Sequence, residues 1–159
     1  MGRRSLLRPL LSAAVLALLL PLAQADTPGP RVPLLPRYEQ ECAACHIAYP
    51  PGFLPAASWR QLMGGLERHY GTDAALDAAS VQEISQWLER HAGTYKRVSE
   101  PPPEHRITRS AWFLRQHRAD EVPPGLWRHP AVKSPGNCAA CHTQAAQGRF
   151  HERDIRLPR

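Results

Sequence analysis

Two short stretches, Cys42-Ala43-Ala44-Cys45-His46 and Cys138-Ala139-Ala140-Cys141-His142, contain all four cysteines of this 159-residue chain. In each of them a histidine directly follows the second cysteine of a C-x-x-C pair. This pattern is the attachment motif of c-type haem. The two thiols bond to the vinyl groups of one porphyrin, and the next imidazole becomes the proximal iron ligand. The sequence therefore predicts two covalently bound haem c groups, attached through Cys42, Cys45, Cys138 and Cys141, with His46 and His142 as proximal ligands.

Other uses of paired cysteines explain this pattern less well. A zinc site with four cysteine ligands would use the same two C-x-x-C pairs. Two local disulfides, or a redox-active dithiol of the thioredoxin kind, would also use such pairs. None of these alternatives gives a reason for a histidine after each pair, so covalent haem is the favoured interpretation.

The N-terminus has the pattern of a secretory signal peptide over residues 1–25. Three arginines among the first eight residues precede an uncharged, mostly apolar run at 10–20, and Ala23-Gln24-Ala25 forms a small-residue cleavage pattern. The apolar run is shorter than the roughly 20 residues of a membrane-spanning helix. We therefore expect cleavage after Ala25, export to the periplasm and no stable membrane insertion. An uncleaved membrane anchor is the alternative.

Processing changes the charge and composition of the chain. Cleavage removes 25 of the 159 residues and three of the 20 basic ones, which leaves 134 residues with 17 basic and 14 acidic side chains, a formal charge of +3. This charge is too small, and too evenly distributed, to indicate nucleic-acid binding. Two ferric haems would lower it to about +1, which favours a local docking patch over long-range steering. The mature chain is poor in aliphatic residues, so we expect the haems to form part of its core.

The remaining pattern predicts an all-α, small and loop-rich helical domain at residues 37–159, built around the two haems. A proline-rich, extended lead-in occupies residues 26–36. Helical periodicity and cap residues predict helices over 38–46, 58–70, 80–92, 108–118 and 134–148, with N-caps at Ser58, Ser80, Thr108 and Ser134. No segment alternates as a strand would.

The sixth iron ligand is the point on which function depends. Six histidines remain once the proximal pair is assigned, namely His69, His91, His105, His117, His129 and His151. Met63 is the only internal methionine, so two haems with His/Met ligation are impossible. Two bis-His irons, one bis-His with one His/Met iron, or an iron with an open site all remain.

Three histidines compete for the distal positions. His69 ends the predicted second helix beside its apolar stripe, and His117 follows Phe113 by one helical turn. His91 follows Leu88 by three residues and is the runner-up. We expect His69 and His117 to be the distal ligands. Proximity in sequence pairs His69 with the first haem, although a crossed arrangement stays open.

At this level of detail the sequence resembles the small periplasmic dihaem cytochromes c of the DHC type, over residues 38–158. The specific part of the resemblance is the order of the two haem motifs with the segments around and between them. Those segments are Trp59, Met63-Gly64-Gly65-Leu66, His69-Tyr70-Gly71, Arg106-Ile107-Thr108, Trp112-Phe113, His117-Arg118, Val132-Lys133-Ser134-Pro135 and Ile155-Arg156-Leu157-Pro158.

The resemblance implies a bis-His electron carrier rather than an enzyme, with no catalytic residues. It favours His69 and His117 over His91, which lies outside the matching segments. Its implied redox partners are an oxygen-binding monohaem cytochrome c and a membrane b-type cytochrome, and we expect a monomer. The rival function is a haem enzyme or gas-binding cytochrome in which one iron keeps an open site.

Overall fold

Four α-helices, joined by loops and short 3₁₀ helices, make up the part of the chain that the computed structural model describes, residues 32–95 and 98–158. The predicted signal peptide and residues 26–31 of the lead-in lie outside this part. The α-helices are α1 Pro36–Cys42, α2 Ala56–Met63, α3 Ala78–Arg90 and α4 Ala111–Gln116. The described residues contain isolated β-bridges but no strand, so the all-α prediction is confirmed. None of the helices described is long and apolar enough to cross a membrane.

The 3₁₀ helices carry much of the remaining backbone. They are Pro51–Phe53, Leu66–Arg68, Pro103–His105, Ile107–Arg109, Pro124–Arg128, Cys138–Ala140, Ala145–Gln147 and Glu152–Asp154. Such short helices turn the chain within three to five residues. They let it return repeatedly toward the two motifs without long helical segments.

The predicted helix boundaries need correction at both ends of most elements. Helix α2 starts at Ala56, directly after Pro55, so Ser58 lies inside the helix and is fully buried. Helix α3 starts two residues before Ser80, because the carboxylate of Asp77 accepts the backbone N–H groups of Ala79 and Ser80. Asp is as good an N-cap as Ser, and its position upstream sets the start.

Helix α4 is also displaced, since Ser110 rather than Thr108 is its N-cap and accepts from the backbone N–H of Phe113. Helices α1 and α2 end early. Helix α1 buries only Tyr38, so packing supports just its two turns, and residues 43–46 form a turn instead of helix. Helix α2 stops before Gly64 and Gly65, each of which costs about 1 kcal/mol relative to alanine in a helix.

The hydrophobic core lies between α2 and α3 and the segments that flank them. Its buried members are Tyr38, Ala48, Leu54, Trp59, Met63, Ile84, Trp87 and Leu88. The helical periodicity that predicted a helix over 80–92 comes from an apolar stripe on α3, in which Ile84 and Leu88 are fully buried and Val81 is partly buried against the core. The backbone of Gly93 packs closely against that of Gly52. A Cβ at position 93 would lie 2.6 Å from the carbonyl oxygen of Gly52, so only glycine permits the two segments to lie this close.

The C-terminal part of the described chain, after α4, contains 3₁₀ helices and turns rather than α-helices. The predicted helix over 134–148 is wrong, because the segment forms two separate 3₁₀ helices, Cys138–Ala140 and Ala145–Gln147. Ser134 accepts the backbone N–H of Gly136 and closes a local turn. The side chain of Asn137 donates to the carbonyl of Val132 instead of capping a helix. These local hydrogen bonds compete with helix formation.

Candidate metal centres

The first motif brings two histidines together. The imidazoles of His46 and His69 have ring centroids 6.2 Å apart and planes inclined by 33°. His46 lies in the turn after α1, and His69 follows the 3₁₀ helix Leu66–Arg68. A tight turn with positive φ at Tyr70 (52°) and Gly71 (95°) directs the chain back immediately afterwards.

The second motif also brings two histidines close together. The imidazoles of His117 and His142 have ring centroids 6.1 Å apart, with planes inclined by 69°. His117 is the C-cap of α4, and His142 follows the 3₁₀ helix Cys138–Ala140 with its backbone N–H bonded to the carbonyl of Cys138. Each of the two predicted distal ligands thus lies beside one predicted proximal ligand.

The separation within each pair suits a shared metal ion. A bond from a metal ion to an imidazole nitrogen is about 2 Å long, so two imidazoles bound from opposite sides have centroids about 6 Å apart. Both observed separations, 6.2 and 6.1 Å, are close to this value. The residues present therefore fit an iron held between two imidazoles at each motif.

Hydrogen bonds fix the ring nitrogens in two of these histidines. Nδ1 of His46 lies 2.7 Å from the carbonyl oxygen of Ile47, and Nδ1 of His117 lies 3.0 Å from that of Phe113. A carbonyl oxygen can only accept, so Nδ1–H donates and Nε2 keeps its lone pair for a metal. Nδ1 of His142 is buried without a hydrogen-bond partner, and such an atom favours a site that is completed by a bound group.

Burial keeps two of the imidazoles neutral. The pKa of His69 is lowered mainly by burial, and further by the neighbouring His46 and Arg106. Burial likewise lowers the pKa of His142, and His117 adds to the effect. A neutral imidazole is the form that binds metal, so these shifts favour ligation at neutral pH.

None of the four cysteines forms a disulfide. Burial raises the pKa of Cys42 and of Cys138 to about 11, and it also raises the pKa of Cys141. Burial thus disfavours the thiolate form of these three side chains before haem is attached. Within residues 32–95 and 98–158, no three His, Cys, Asp or Glu side chains converge to hold a metal ion, as a zinc site would require.

Aromatic rings pack around both pairs, and of these the sequence singled out only Phe113. Tyr49 stacks on His46 at 4.8 Å between centroids, and Phe113 stacks on His117 at 4.0 Å. Phe150 lies 5.3 Å from His142, and Trp127 lies 6.0 Å from His117. No spacing in the sequence indicates Tyr49, Trp127 or Phe150, because each reaches its histidine through a loop.

A polar cluster covers the side of His69 away from the core. The guanidinium of Arg106 lies 3.9 Å from the ring centroid of Tyr70, whose hydroxyl donates to the backbone carbonyl of Glu104 at 2.9 Å. Glu104 and His105 both have φ of 55°, a conformation that non-glycine residues adopt at a cost. The cluster holds the turn after His69 to the segment before α4.

Three of the other four histidines, His91, His105 and His129, have partners elsewhere. The runner-up His91 ends α3, where its Nδ1 lies 2.8 Å from the carbonyl oxygen of Trp87 and its ring packs against that indole at 5.2 Å. His105 bonds to the buried hydroxyl of Ser58, and Nδ1 of His129 accepts from the backbone N–H of Ala131. Met63 is buried in the core cluster.

Comparison with known proteins agrees with this arrangement. The family described as "Dihaem cytochrome c" (DHC) matches residues 38–150. A new dihaem cytochrome c from Shewanella baltica is 35% identical with a TM-score of 0.68, over 80% of this chain and 95% of that one. DHC from Rhodobacter sphaeroides is 43% identical with a TM-score of 0.64, over 75% and 99%. A second Rhodobacter sphaeroides structure, a dihaem cytochrome c, is 41% identical with a TM-score of 0.67, over 76% and 100%. No curated protein sequence matches the chain.

The family match covers both motifs. The similarity to the small dihaem cytochromes c extends over nearly the whole length of those proteins. The match and the four cysteines together establish two haem c groups as the cofactors. Members of such a family are electron-transfer cytochromes. This chain belongs to the dihaem cytochrome c family.

Proposed function

We propose that this protein is a periplasmic carrier that relays single electrons between redox partners through two low-spin haems. In this proposal His46 and His69 are the axial ligands at the first motif, and His142 and His117 are those at the second. The observation that carries the proposal is the separation of about 6 Å within each imidazole pair.

The haem groups supply one-electron chemistry when bound, at potentials that the axial ligands and their surroundings set. An imidazole on each side leaves no position for a substrate, which suits a carrier better than an enzyme. The bonds from Nδ1 of His46 and His117 to backbone carbonyls orient the rings and raise their basicity as ligands. Partial burial of His69 and His142 limits the access of water.

The alternative ligands are less well placed. A thioether ligand would have to be Met63, and this side chain is 7% exposed within the core cluster between α2 and α3. The described ring contacts place His91 on Trp87, whereas the rings that lie against His46 and His142 are those of His69 and His117. These positions support bis-His ligation by His69 and His117.

By family resemblance, the partners in this proposal are an oxygen-binding monohaem cytochrome c and a membrane b-type cytochrome.

The proposed location and assembly depend on the N-terminal pattern. Export and cleavage after Ala25 would release a monomer into the periplasm, where haem is attached to such motifs. Mass spectrometry of the periplasmic fraction would check the export of the chain and its cleavage after Ala25. The expected mass is that of residues 26–159 with two haems, and retention of residues 1–25 in a membrane fraction would contradict the location.

Carbon monoxide distinguishes the carrier from an enzyme or gas-binding protein. CO binds ferrous haem only where an axial position is open or readily vacated. The spectrum of the reduced protein should therefore stay unchanged on addition of CO, and the oxidised protein should give low-spin signals alone in electron paramagnetic resonance. A CO complex at one haem would show an open iron site and contradict the pure carrier.

A further inference from the structure

Tyr49 connects the two motifs by direct contacts. Its ring stacks on that of His46, with centroids 4.8 Å apart and planes inclined by 24°. Its hydroxyl donates to the carbonyl oxygen of Gly136 at 2.7 Å, across 87 residues of sequence. Gly136 lies two residues before Cys138, the first cysteine of the second motif. One side chain thus contacts the proximal histidine of one site and the attachment segment of the other.

The backbone of Tyr49 is anchored as firmly as its side chain. Its carbonyl oxygen accepts from the hydroxyl of Tyr38 at 2.9 Å. Tyr38 is buried in the core cluster and packs against Trp87 at 5.2 Å between ring centroids. The position of Tyr49 is therefore set by the core between α2 and α3, and its hydroxyl connects that core to the segment before the second motif.

The Gly136 segment has few other constraints of this kind. Its other described side-chain hydrogen bonds are local: the backbone N–H of Gly136 donates to the hydroxyl oxygen of Ser134, and the side chain of Asn137 donates to the carbonyl of Val132. Local bonds of this type shape the loop but do not fix where the loop lies relative to the first motif. The bond from Tyr49 does, because its two ends belong to different motifs.

We propose that Tyr49 is a positioning residue that holds the two haem attachment motifs against each other and so sets the rate of electron exchange between the haems. This inference rests on the proposed relay function. In this exchange one iron would be oxidised as the other is reduced, and no bond would form or break and no proton would be transferred.

The test compares two tyrosine-to-phenylalanine variants of the full holoprotein. Tyr49→Phe keeps the ring on His46 and removes only the bond to Gly136. Tyr95→Phe is the control, because it makes the same chemical change at a tyrosine that is 48% exposed and belongs to neither motif nor to the described ring contacts of the four paired histidines. The readouts are the rate at which the two haems equilibrate after one is photoreduced, and the shift in one haem's potential when the other is reduced.

We expect Tyr49→Phe to attach both haems, to slow the equilibration several-fold and to change the potential shift, whereas Tyr95→Phe leaves both at the wild-type values. Wild-type values in Tyr49→Phe, or equal changes in the two variants, would overturn the proposal. The comparison decides even if wild-type protein binds CO, because that result concerns the axial ligands alone. Failure of the proposed function is therefore distinguishable from failure of this inference.

A measurement on the wild-type holoprotein covers the case in which Tyr49→Phe does not mature. The hydroxyl proton of Tyr49 should be visible by nuclear magnetic resonance and exchange slowly with water, because it is half-buried and bonded to Gly136. It should also show a nuclear Overhauser effect to that residue. Exchange as fast as that of an exposed tyrosine would rule out the fixed contact on which the proposal depends.

Discussion

The imidazole of His117 lies 6.1 Å from that of His142, centroid to centroid, and stacks on Phe113 at 4.0 Å. Phe113 is buried, so the ring of His117 is held by a side chain that cannot easily move. The carbonyl of the same residue accepts from Nδ1 of His117. One residue of α4 therefore fixes both the plane and the protonated nitrogen of the histidine that meets the second motif.

Replacing His117 by alanine should open the second iron. The expected result is a high-spin signal from one haem in the oxidised protein and CO binding to one haem in the reduced protein, because no imidazole would remain opposite His142. Visible absorption and electron paramagnetic resonance measure both. The matched control is His91→Ala, which removes an imidazole whose ring packs on Trp87. High-spin haem in the control with none in His117→Ala would reverse the ligand assignment.

Replacing His69 by alanine should open the first iron and leave the second unchanged. The reason is the 6.2 Å separation between His69 and His46. Nuclear Overhauser effects between the haem and the side chains of Cys42 or Cys138 identify which haem has changed. An altered haem attached at Cys138 would indicate the crossed arrangement.

Replacing one pair of cysteines should remove one haem. Serine at both Cys138 and Cys141 leaves a single intact attachment motif, so the pyridine haemochrome assay should fall from two haems per chain to one. The mirror variant, with serine at Cys42 and Cys45, should give the same stoichiometry. Two haems retained in either variant would mean that attachment does not depend on these thiols.

Replacing Leu88 by alanine should destabilise the core. Leu88 is fully buried between α2 and α3, and a Leu→Ala change in such a position costs about 2–5 kcal/mol. Leu114→Ala makes the same chemical change at a side chain that is 58% exposed, where the expected effect is within about 0.5 kcal/mol. Urea unfolding, followed by far-ultraviolet circular dichroism, measures the two free energies of unfolding. Equal losses in the two variants would place the core elsewhere.

The N-cap of α3 predicts a pH dependence. Hydrogen bonds from Ser80 and Ala79 lower the pKa of Asp77 below its usual 3.8. A lowered carboxyl pKa adds stability above the ordinary value and loses it as pH falls through the folded-state value. Asp77→Ala should thus be less stable than wild type at neutral pH, and the gap should close below about pH 3.8. Asp77→Asn, which can still accept but does not titrate, is the control.

Urea midpoints at neutral pH and near pH 3 measure this gap. A difference between wild type and Asp77→Ala that stays constant with pH would contradict the proposed role of the carboxylate. A difference of the same size in Asp77→Asn at neutral pH would show that the negative charge, rather than the cap geometry, supplies the stability.

Local sequence predicted the presence of the helices better than the residues at which they begin and end. The stripe of Val81, Ile84 and Leu88 identified α3 because burial on one face of a helix leaves a periodic trace. The N-cap predicted at Ser80 was wrong, because Asp77, an equally good cap residue three positions earlier, caps α3 instead. The helix predicted after Ser134 was wrong because local hydrogen bonds at Ser134 and Asn137 form turns in its place.

The sequence alone determined the chemistry: two C-x-x-C-H motifs specify two covalent haems and two proximal histidines, because attachment needs residues adjacent in the chain. Only the tertiary structure decided which remaining histidines approach them, since His69 and His117 reach the motifs across loops whose paths depend on Gly71, Ser110 and Phe113. The contact of Tyr49 with Gly136 is of the same kind. A hydrogen bond between distant segments leaves no periodicity or spacing behind, so it exists only once the chain has folded.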